Sequence, residues 1–209
     1  KLGVIVIKDL NIAKLLLNTG CFQVNLQQLF LYASGIKGPI YCDNRKILSF
    51  PKEKDIIIDS FINMISENKF DFDHIAGVAT SGIPFGAMIA DRMGKSFIYI
   101  RAESKAHGKK KQIEGDYNYN DKILLIEDLV NQASSLEKIC FAARDNKLNI
   151  VAALSIIDYQ MPVAKTKLDK LGVELFSLSN FSNLSKAAVE EGIISEDDFN
   201  ALIDWKSKL

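Results

Sequence analysis

From residue 54 onward, segments whose apolar residues recur every three to four positions alternate with short unbroken aliphatic runs. Over residues 56–65, Ile57, Phe61, Met64 and Ile65 fall on one helical face, and Asp55 sits where negative charge favours a helix N-terminus. Residues 75–79 read as a buried strand closed by Thr80-Ser81-Gly82. Residues 83–93 return to helical spacing, and residues 96–100 form a second strand. Residues 102–120 are polar, Lys-rich and aperiodic, which predicts a long loop or a flexible hairpin. The segment Lys122-Ile123-Leu124-Leu125-Ile126, a continuous aliphatic run after its lysine, is the strongest strand signal, as in a parallel strand buried on both faces. Helical spacing over 134–144, a strand over 150–157, a helix over 163–171 stopped by Gly172, and a strand over 173–176 follow. Residues 181–209 read as helical, with Ser195-Glu196-Asp197-Asp198 as a capped start. This β-α-β-α order predicts an α/β fold, a central mostly parallel sheet flanked by helices. Residues 1–53, a helix over 12–17 and then short extended pieces, form a small N-terminal cap. Residues 54–209 form the α/β core, with its loop at about 102–120.

Charge and composition narrow the function. Among 209 residues, 26 Lys+Arg balance 26 Asp+Glu, which argues against a nonspecific nucleic-acid binder. No apolar run reaches the ~18–20 residues needed to span a bilayer, so no membrane role is expected. The stretch Gly3-Val4-Ile5-Val6-Ile7 is shorter than a signal-peptide core. Cys21, Cys42 and Cys140 form no CxxC pair and, with only His74 and His107, build no standard zinc site. Free thiols in a reducing, cytoplasmic setting are the simple expectation.

Ligands of open parallel sheets bind beyond the carboxyl ends of the strands, and three segments sit there. Glu127 and Asp128 directly follow the aliphatic run. Neighbouring acids repel unless a cation or a polyhydroxyl ligand compensates, and a ribose diol suits them. A solvated turn with Asp128 capping the next helix is the plainer alternative. Ala79-Thr80-Ser81-Gly82 offers small residues and backbone N–H groups before a helix, an anion cradle of low specificity. The segment from Arg101 to Lys111 carries Lys105, His107 and a Lys run. It is either a solvated basic loop or a lid that neutralises a polyphosphate and excludes water. Together the three point to a phosphorylated sugar.

With these segments in view, the chain from about Ile12 resembles the orotate phosphoribosyltransferases of pyrimidine biosynthesis in their short bacterial form. The carrying residues are Ala33-Ser34-Gly35-Ile36-Lys37-Gly38-Pro39-Ile40-Tyr41-Cys42-Asp43-Asn44-Arg45, Gly77 to Pro84, Asp91-Arg92-Met93, Ile100-Arg101 through Gly108, and Gln112-Ile113-Glu114-Gly115. The resemblance implies the type I phosphoribosyltransferase fold. It also implies transfer of the phosphoribosyl group of phosphoribosyl pyrophosphate (PRPP) to orotate, giving orotidine 5-phosphate and pyrophosphate, with Mg²⁺ bound mainly through PRPP and no direct protein ligand. Ser34, Gly35, Tyr41 and Cys42 would bind orotate. Thr80, Ser81 and Gly82 would cradle pyrophosphate, and Glu127 with Asp128 would hold the ribose hydroxyls. Ala133, Ser134 and Ser135 would wrap the 5-phosphate. Arg101, Lys105, His107 and Asp128 would be the catalytic groups, the first three on a basic loop shared across a homodimer interface.

The chain departs from the family pattern in three places. The PRPP signature continues after its acids roughly as Ser-Thr-Gly-Gly-Ser, but here reads Asn131-Gln132-Ala133-Ser134-Ser135, and Gly permits conformations that Gln and Ala tolerate poorly. Ala33 and Tyr159 stand where some relatives have Lys and Arg. The altered loop leaves a regulatory relative that binds PRPP or a nucleotide as the alternative, and the intact Arg101, Lys105 and His107 count against it. A purine phosphoribosyltransferase is disfavoured by the segment from Ser34 to Asn44. His74 reads as a surface or capping residue, Phe199 and Trp205 as packing or dimer contacts, Phe22 and Phe30 as core of the cap, and Cys140 as buried and inert.

Overall fold

A computed structural model describes residues 9–31, 37–103 and 111–208. Its elements in chain order are α1 (Asp9–Asn18), β1 (Phe22–Val24), β2 (Phe30–Leu31), β3 (Lys37–Gly38), β4 (Ile40–Cys42), a 3₁₀ turn (Asn44–Ser49), α2 (Pro51–Glu67), β5 (His74–Val78), α3 (Gly82–Met93), β6 (Ser96–Ile100), β7 (Ile113–Glu114), β8 (Lys122–Val130), α4 (Ser134–Asp145), β9 (Asn149–Asp158), α5 (Pro162–Leu171), β10 (Leu175–Asn180), α6 (Phe181–Glu190) and α7 (Glu196–Ser207). Helix α2 starts on Pro51, whose fixed φ and missing N–H suit a first turn, so Glu53 rather than Asp55 supplies the first-turn acid.

Six strands form one sheet in the order β10-β9-β8-β5-β6-β7. The pairs β5/β6, β5/β8 and β8/β9 are parallel, and the short β7 returns antiparallel on β6. Ile123, Leu124, Leu125 and Ile126 of β8 are all fully buried, as the unbroken aliphatic run requires of a strand covered on both faces. On one face Ala76, Val78, Ile123 and Leu125 pack with Leu136, Ile139 and Cys140 of α4 and Ala164 and Leu168 of α5. Strand alternation turns Ile75, Leu124 and Ile126 to the other face, where α3 packs against β5 and β8. Each such buried Val, Leu or Ile side chain contributes roughly 1.5–3 kcal/mol.

One feature of the core differs from the sequence reading. Strand β8 does not stop at Ile126 but continues through both acids to Val130, because β9 runs alongside it (Glu127↔Ser155, Leu129↔Ile157, Val130↔Asp158). Within the 102–120 segment, expected as a long loop or a hairpin, β7 pairs with β6 (Tyr99↔Glu114, Ile100↔Ile113), so the described part is a hairpin.

The chain divides into two compact units, one from Ile56 to Leu178 and one made of the chain up to Asp55 with the chain from Ser179 onward. The sequence boundary at residues 53/54 left the C-terminal helices with the core. In the structure α6 packs on α1 instead, and Lys14 of α1 pairs with Glu190 (2.9 Å) and Glu191 (3.1 Å). Phe22 is buried in this N-terminal unit, and Phe30 stacks on Tyr41 at 5.6 Å between ring centres. Helix α7 opens with a complete capping box between Ser195 and Asp198, as its sequence predicts.

Candidate active site

Gly82 brings the turn after β5 against the middle of β8. A Cβ on Gly82 would overlap the carbonyl oxygen of Ile126 and lie 3.3 Å from the Cα of Glu127, so only glycine lets α3 begin this close to the strand. Ser81 precedes the helix and its hydroxyl makes no capping bond. Thr80 is exposed, and its carbonyl accepts a hydrogen bond from the Ile83 N–H at 3.3 Å. The Ala79 N–H donates to Ile100, which ties the turn back to β6. Thr80, Ser81 and Gly82 therefore stand at the positive end of α3, beside the acidic residues of β8.

Glu127 is 7% exposed, and one carboxylate oxygen accepts the backbone N–H of Asp128 at 3.0 Å. Burial pushes its carboxyl well above the usual carboxylate range, and the adjacent Asp128 adds to the shift. Asp128 is half-buried. It does not cap the following helix, because Ala133 is the N-cap residue of α4. A buried acid that has lost its water and sits beside a second acid gains by accepting hydrogen bonds from ligand hydroxyls.

Downstream of the acids the chain turns into α4. Ala133 is buried and holds the left-handed conformation at φ 55°, a conformation that costs an L-residue roughly 1–2 kcal/mol and that Gly adopts without that cost. The altered loop thus keeps a glycine-like turn without the glycine. Its carbonyl accepts the Glu137 N–H at 2.8 Å, closing the first turn of α4. Ser134 and Ser135 are exposed on that turn. Lys167 of α5 reaches across and donates from Nζ to the Ser134 hydroxyl oxygen at 2.7 Å, with Glu137 Oε2 3.5 Å away. Lys167 lies 33 residues from Ser134, so nothing in the local sequence marks it.

Arg101 stands just past β6. Its guanidinium donates to Glu114 (3.1 Å) and to the Tyr99 hydroxyl (3.0 Å) and lies over the Tyr99 ring. Both partners belong to the β6–β7 hairpin, which fixes the base of the basic segment. Lys105 and His107 lie outside the described residues, as do Ser34 and Gly35. In the N-terminal unit Tyr41 is exposed on β4, and the Cys42 thiol donates to Asn44 Oδ1 at 3.3 Å.

His74 is not at the surface. It opens β5, is 8% exposed, and links Ser96 (Nδ1, 2.8 Å) to Asp121 (Nε2, 2.8 Å). These residues sit at the amino ends of β5, β6 and β8, opposite the acids, so the network is structural. A cavity of about 520 Å³ also opens at the end of β9, α5 and the start of β10, with Met161, Leu168 and Leu175 in its lining, and none of the site residues lines it.

Residues 44–186 match the phosphoribosyl transferase domain family. Over 194 residues the chain is 40% identical to the orotate phosphoribosyltransferase of Coxiella burnetii, covering 93% of each. The chain belongs to the orotate phosphoribosyltransferase family. The fold agrees with solved structures. The orotate phosphoribosyltransferase of Aeropyrum pernix superposes with a TM-score of 0.71 at 24% identity, over 87% of this chain and 99% of that one. UMP synthase of Leishmania donovani superposes with a TM-score of 0.81 at 23% identity over 96% of this chain, which spans 42% of that longer protein. The type I phosphoribosyltransferase fold is thus the expected one. Within this orotate phosphoribosyltransferase core, the turn after β5, the acids of β8 and the start of α4 are the segments on which the PRPP assignment falls.

Proposed function

We infer that the chain is an orotate phosphoribosyltransferase, a pentosyltransferase that moves the 5-phosphoribosyl group of PRPP to orotate, releasing pyrophosphate and forming orotidine 5-phosphate for pyrimidine biosynthesis. The observation that carries this is the near full-length 40% identity to the Coxiella enzyme, together with an acidic pair held against a helix-opening turn by Gly82. The same identity favours an enzyme over a regulatory relative.

Each group has a task in the reaction. Glu127 and Asp128 accept hydrogen bonds from the ribose 2- and 3-hydroxyls and orient the sugar. Thr80, Ser81 and Gly82 offer a helix-end cradle to the pyrophosphate, and Ala133, Ser134 and Ser135 take the 5-phosphate. C1–O bond breaking runs ahead of attack by the orotate nitrogen, so positive charge grows on the ribose ring and negative charge on the departing pyrophosphate. Arg101, Lys105 and His107 stabilise that charge more in the transition state than in the ground state. Orotate is already an anion at neutral pH, so a strong general base is unnecessary. We assign orotate to Ser34, Gly35, Tyr41 and Cys42.

Among the described residues no group of three or more His, Cys, Asp or Glu side chains could cage a metal. The family resemblance assigns Mg²⁺ mainly to the oxygens of PRPP, and Glu127 and Asp128 are the acidic side chains of this site that would support it. When bound, it supplies positive charge to the leaving pyrophosphate. We further propose a cytoplasmic homodimer whose basic loop serves the neighbouring subunit. No helix among the described residues is long and apolar enough to cross a membrane.

The test is the fall in orotate absorbance with PRPP and Mg²⁺, for wild type and Lys105→Ala. Steady consumption by wild type and a large loss in the variant are expected. A wild type that binds PRPP in calorimetry yet consumes no orotate would overturn the enzyme.

A further inference from the structure

We propose that Lys167 is a positioning residue for the 5-phosphate of PRPP, acting through Ser134. The proposal rests on the phosphoribosyltransferase reading and deepens it at one subsite. The Lys167 ammonium donates to Ser134 Oγ at 2.7 Å, so that oxygen is an acceptor and its own O–H is left to donate to a phosphate oxygen. Donation from a cation also polarises the hydroxyl and makes it a stronger donor. Glu137 Oε2, 3.5 Å from Nζ, holds the ammonium at the first turn of α4. The Lys167 side chain is 23% exposed, so its charge is only partly screened.

The replaced signature gives this contact its purpose. Ala133 and Ser134 stand where the family loop carries glycines, so this chain has less room for backbone N–H groups to crowd a phosphate. A lysine delivered from α5 adds charge and orders one hydroxyl at that place. Its tether comes from a different helix, which leaves the loop backbone free of the task.

Calorimetry with two probes separates this role from a merely structural one. Ribose 5-phosphate carries the 5-phosphate, and pyrophosphate belongs to the other end of PRPP. Both are titrated into wild type, Lys167→Met, Lys167→Arg and Ser134→Ala in the presence of Mg²⁺. Lys167→Met is expected to weaken ribose 5-phosphate about tenfold, the scale of one charge-assisted hydrogen bond, and to leave pyrophosphate within about twofold. Lys167→Arg is expected to restore most of the loss. Adding Ser134→Ala to Lys167→Met should weaken ribose 5-phosphate little further, because the two act as one unit. Unchanged ribose 5-phosphate affinity in Lys167→Met overturns the proposal, as does equal weakening of both probes. Orotate consumption by the wild type is scored separately. Its absence, with the Lys167 effect on ribose 5-phosphate intact, would refute transfer to orotate and not the phosphate contact.

Discussion

Gly82→Ala puts a methyl group where the backbone of β8 already lies. The added carbon would overlap the Ile126 carbonyl oxygen, sit 3.0 Å from the carbonyl carbon, and sit 3.3 Å from the Cα of Glu127. All three are backbone atoms of a central strand, so no flexible side chain can yield. Either the start of α3 lifts or β8 bends. Overpacking of this kind costs about 1–3 kcal/mol, which for a chain of this size lowers Tm by roughly 2–12 °C. A shift of about 1 Å between the 80–82 turn and the acids should cost on the order of a hundredfold in kcat/KM. The control is Gly94→Ala at the other end of α3, where φ is +61° and nothing lies within 4 Å of the new carbon. That variant should lose about 1 kcal/mol to the left-handed backbone and keep wild-type kcat/KM. Orotate consumption and thermal melts on both variants decide the matter. A folded Gly82→Ala enzyme within twofold of wild type would refute the argument, and so would equal loss of activity in Gly94→Ala.

Glu127→Gln should have opposite effects on stability and on binding. Burial raises the folded-state carboxyl above its unfolded value, so the stability this group contributes is full at low pH and is lost as pH rises through the raised value. The variant should therefore gain in Tm relative to wild type from pH 4 to pH 8, while KM for PRPP rises about tenfold through lost charged hydrogen bonds. A pH-independent Tm difference would count against a buried, raised acid. Asp121→Asn tests the far end of the sheet. His74 first, and the Asn118 N–H second, hold the Asp121 carboxyl below its ordinary value, so its contribution is present at neutral pH and lost as pH falls through the lowered value. The variant should flatten the acid limb of the Tm profile and leave orotate consumption intact. Thiol labelling should find Cys42 first. Cys21 is buried, and burial pushes the Cys140 thiol up to about 11, so both should react only on unfolding. Orotate should slow the labelling of Cys42, and rapid native labelling of Cys140 would contradict its packing.

Local signals made most of the core legible. The aliphatic run of β8, the helical spacing of α3, the glycine stop after α5 and the Ser195–Asp198 cap each depend on neighbours within a few residues. What the sequence hid depends on distant partners. The acids looked like the end of a strand because polar residues usually close one, yet β9 carries the pairing on to Val130. His74 looked peripheral because its partners, Ser96 and Asp121, lie 22 and 47 residues away. The C-terminal helices carried amphipathic spacing without saying which surface they cover, and α1 covers α6. At the site, Glu127, Asp128 and the 80–82 turn were readable as a set, and the Lys167–Ser134 contact was not.

Gly82 and Glu127 meet where α3 begins against β8. Gly82 lets α3 begin against the backbone of β8 at Ile126 and Glu127, and burial is the largest cause of the upward shift of the Glu127 carboxyl. Sheet pairing sets the other end of the subsite: β9 pairs with β8 as far as Val130, and the left-handed Ala133 then turns the chain so that α4 begins with Ser134. A desolvated acid and a cation-tethered hydroxyl thus stand seven residues apart on one rigid strand-turn-helix path, the first suited to neutral sugar hydroxyls and the second to a phosphate. Reversing those characters would leave a dianion beside a buried carboxylate, so the order of groups along β8 and α4 fixes which way round a phosphorylated ribose can bind.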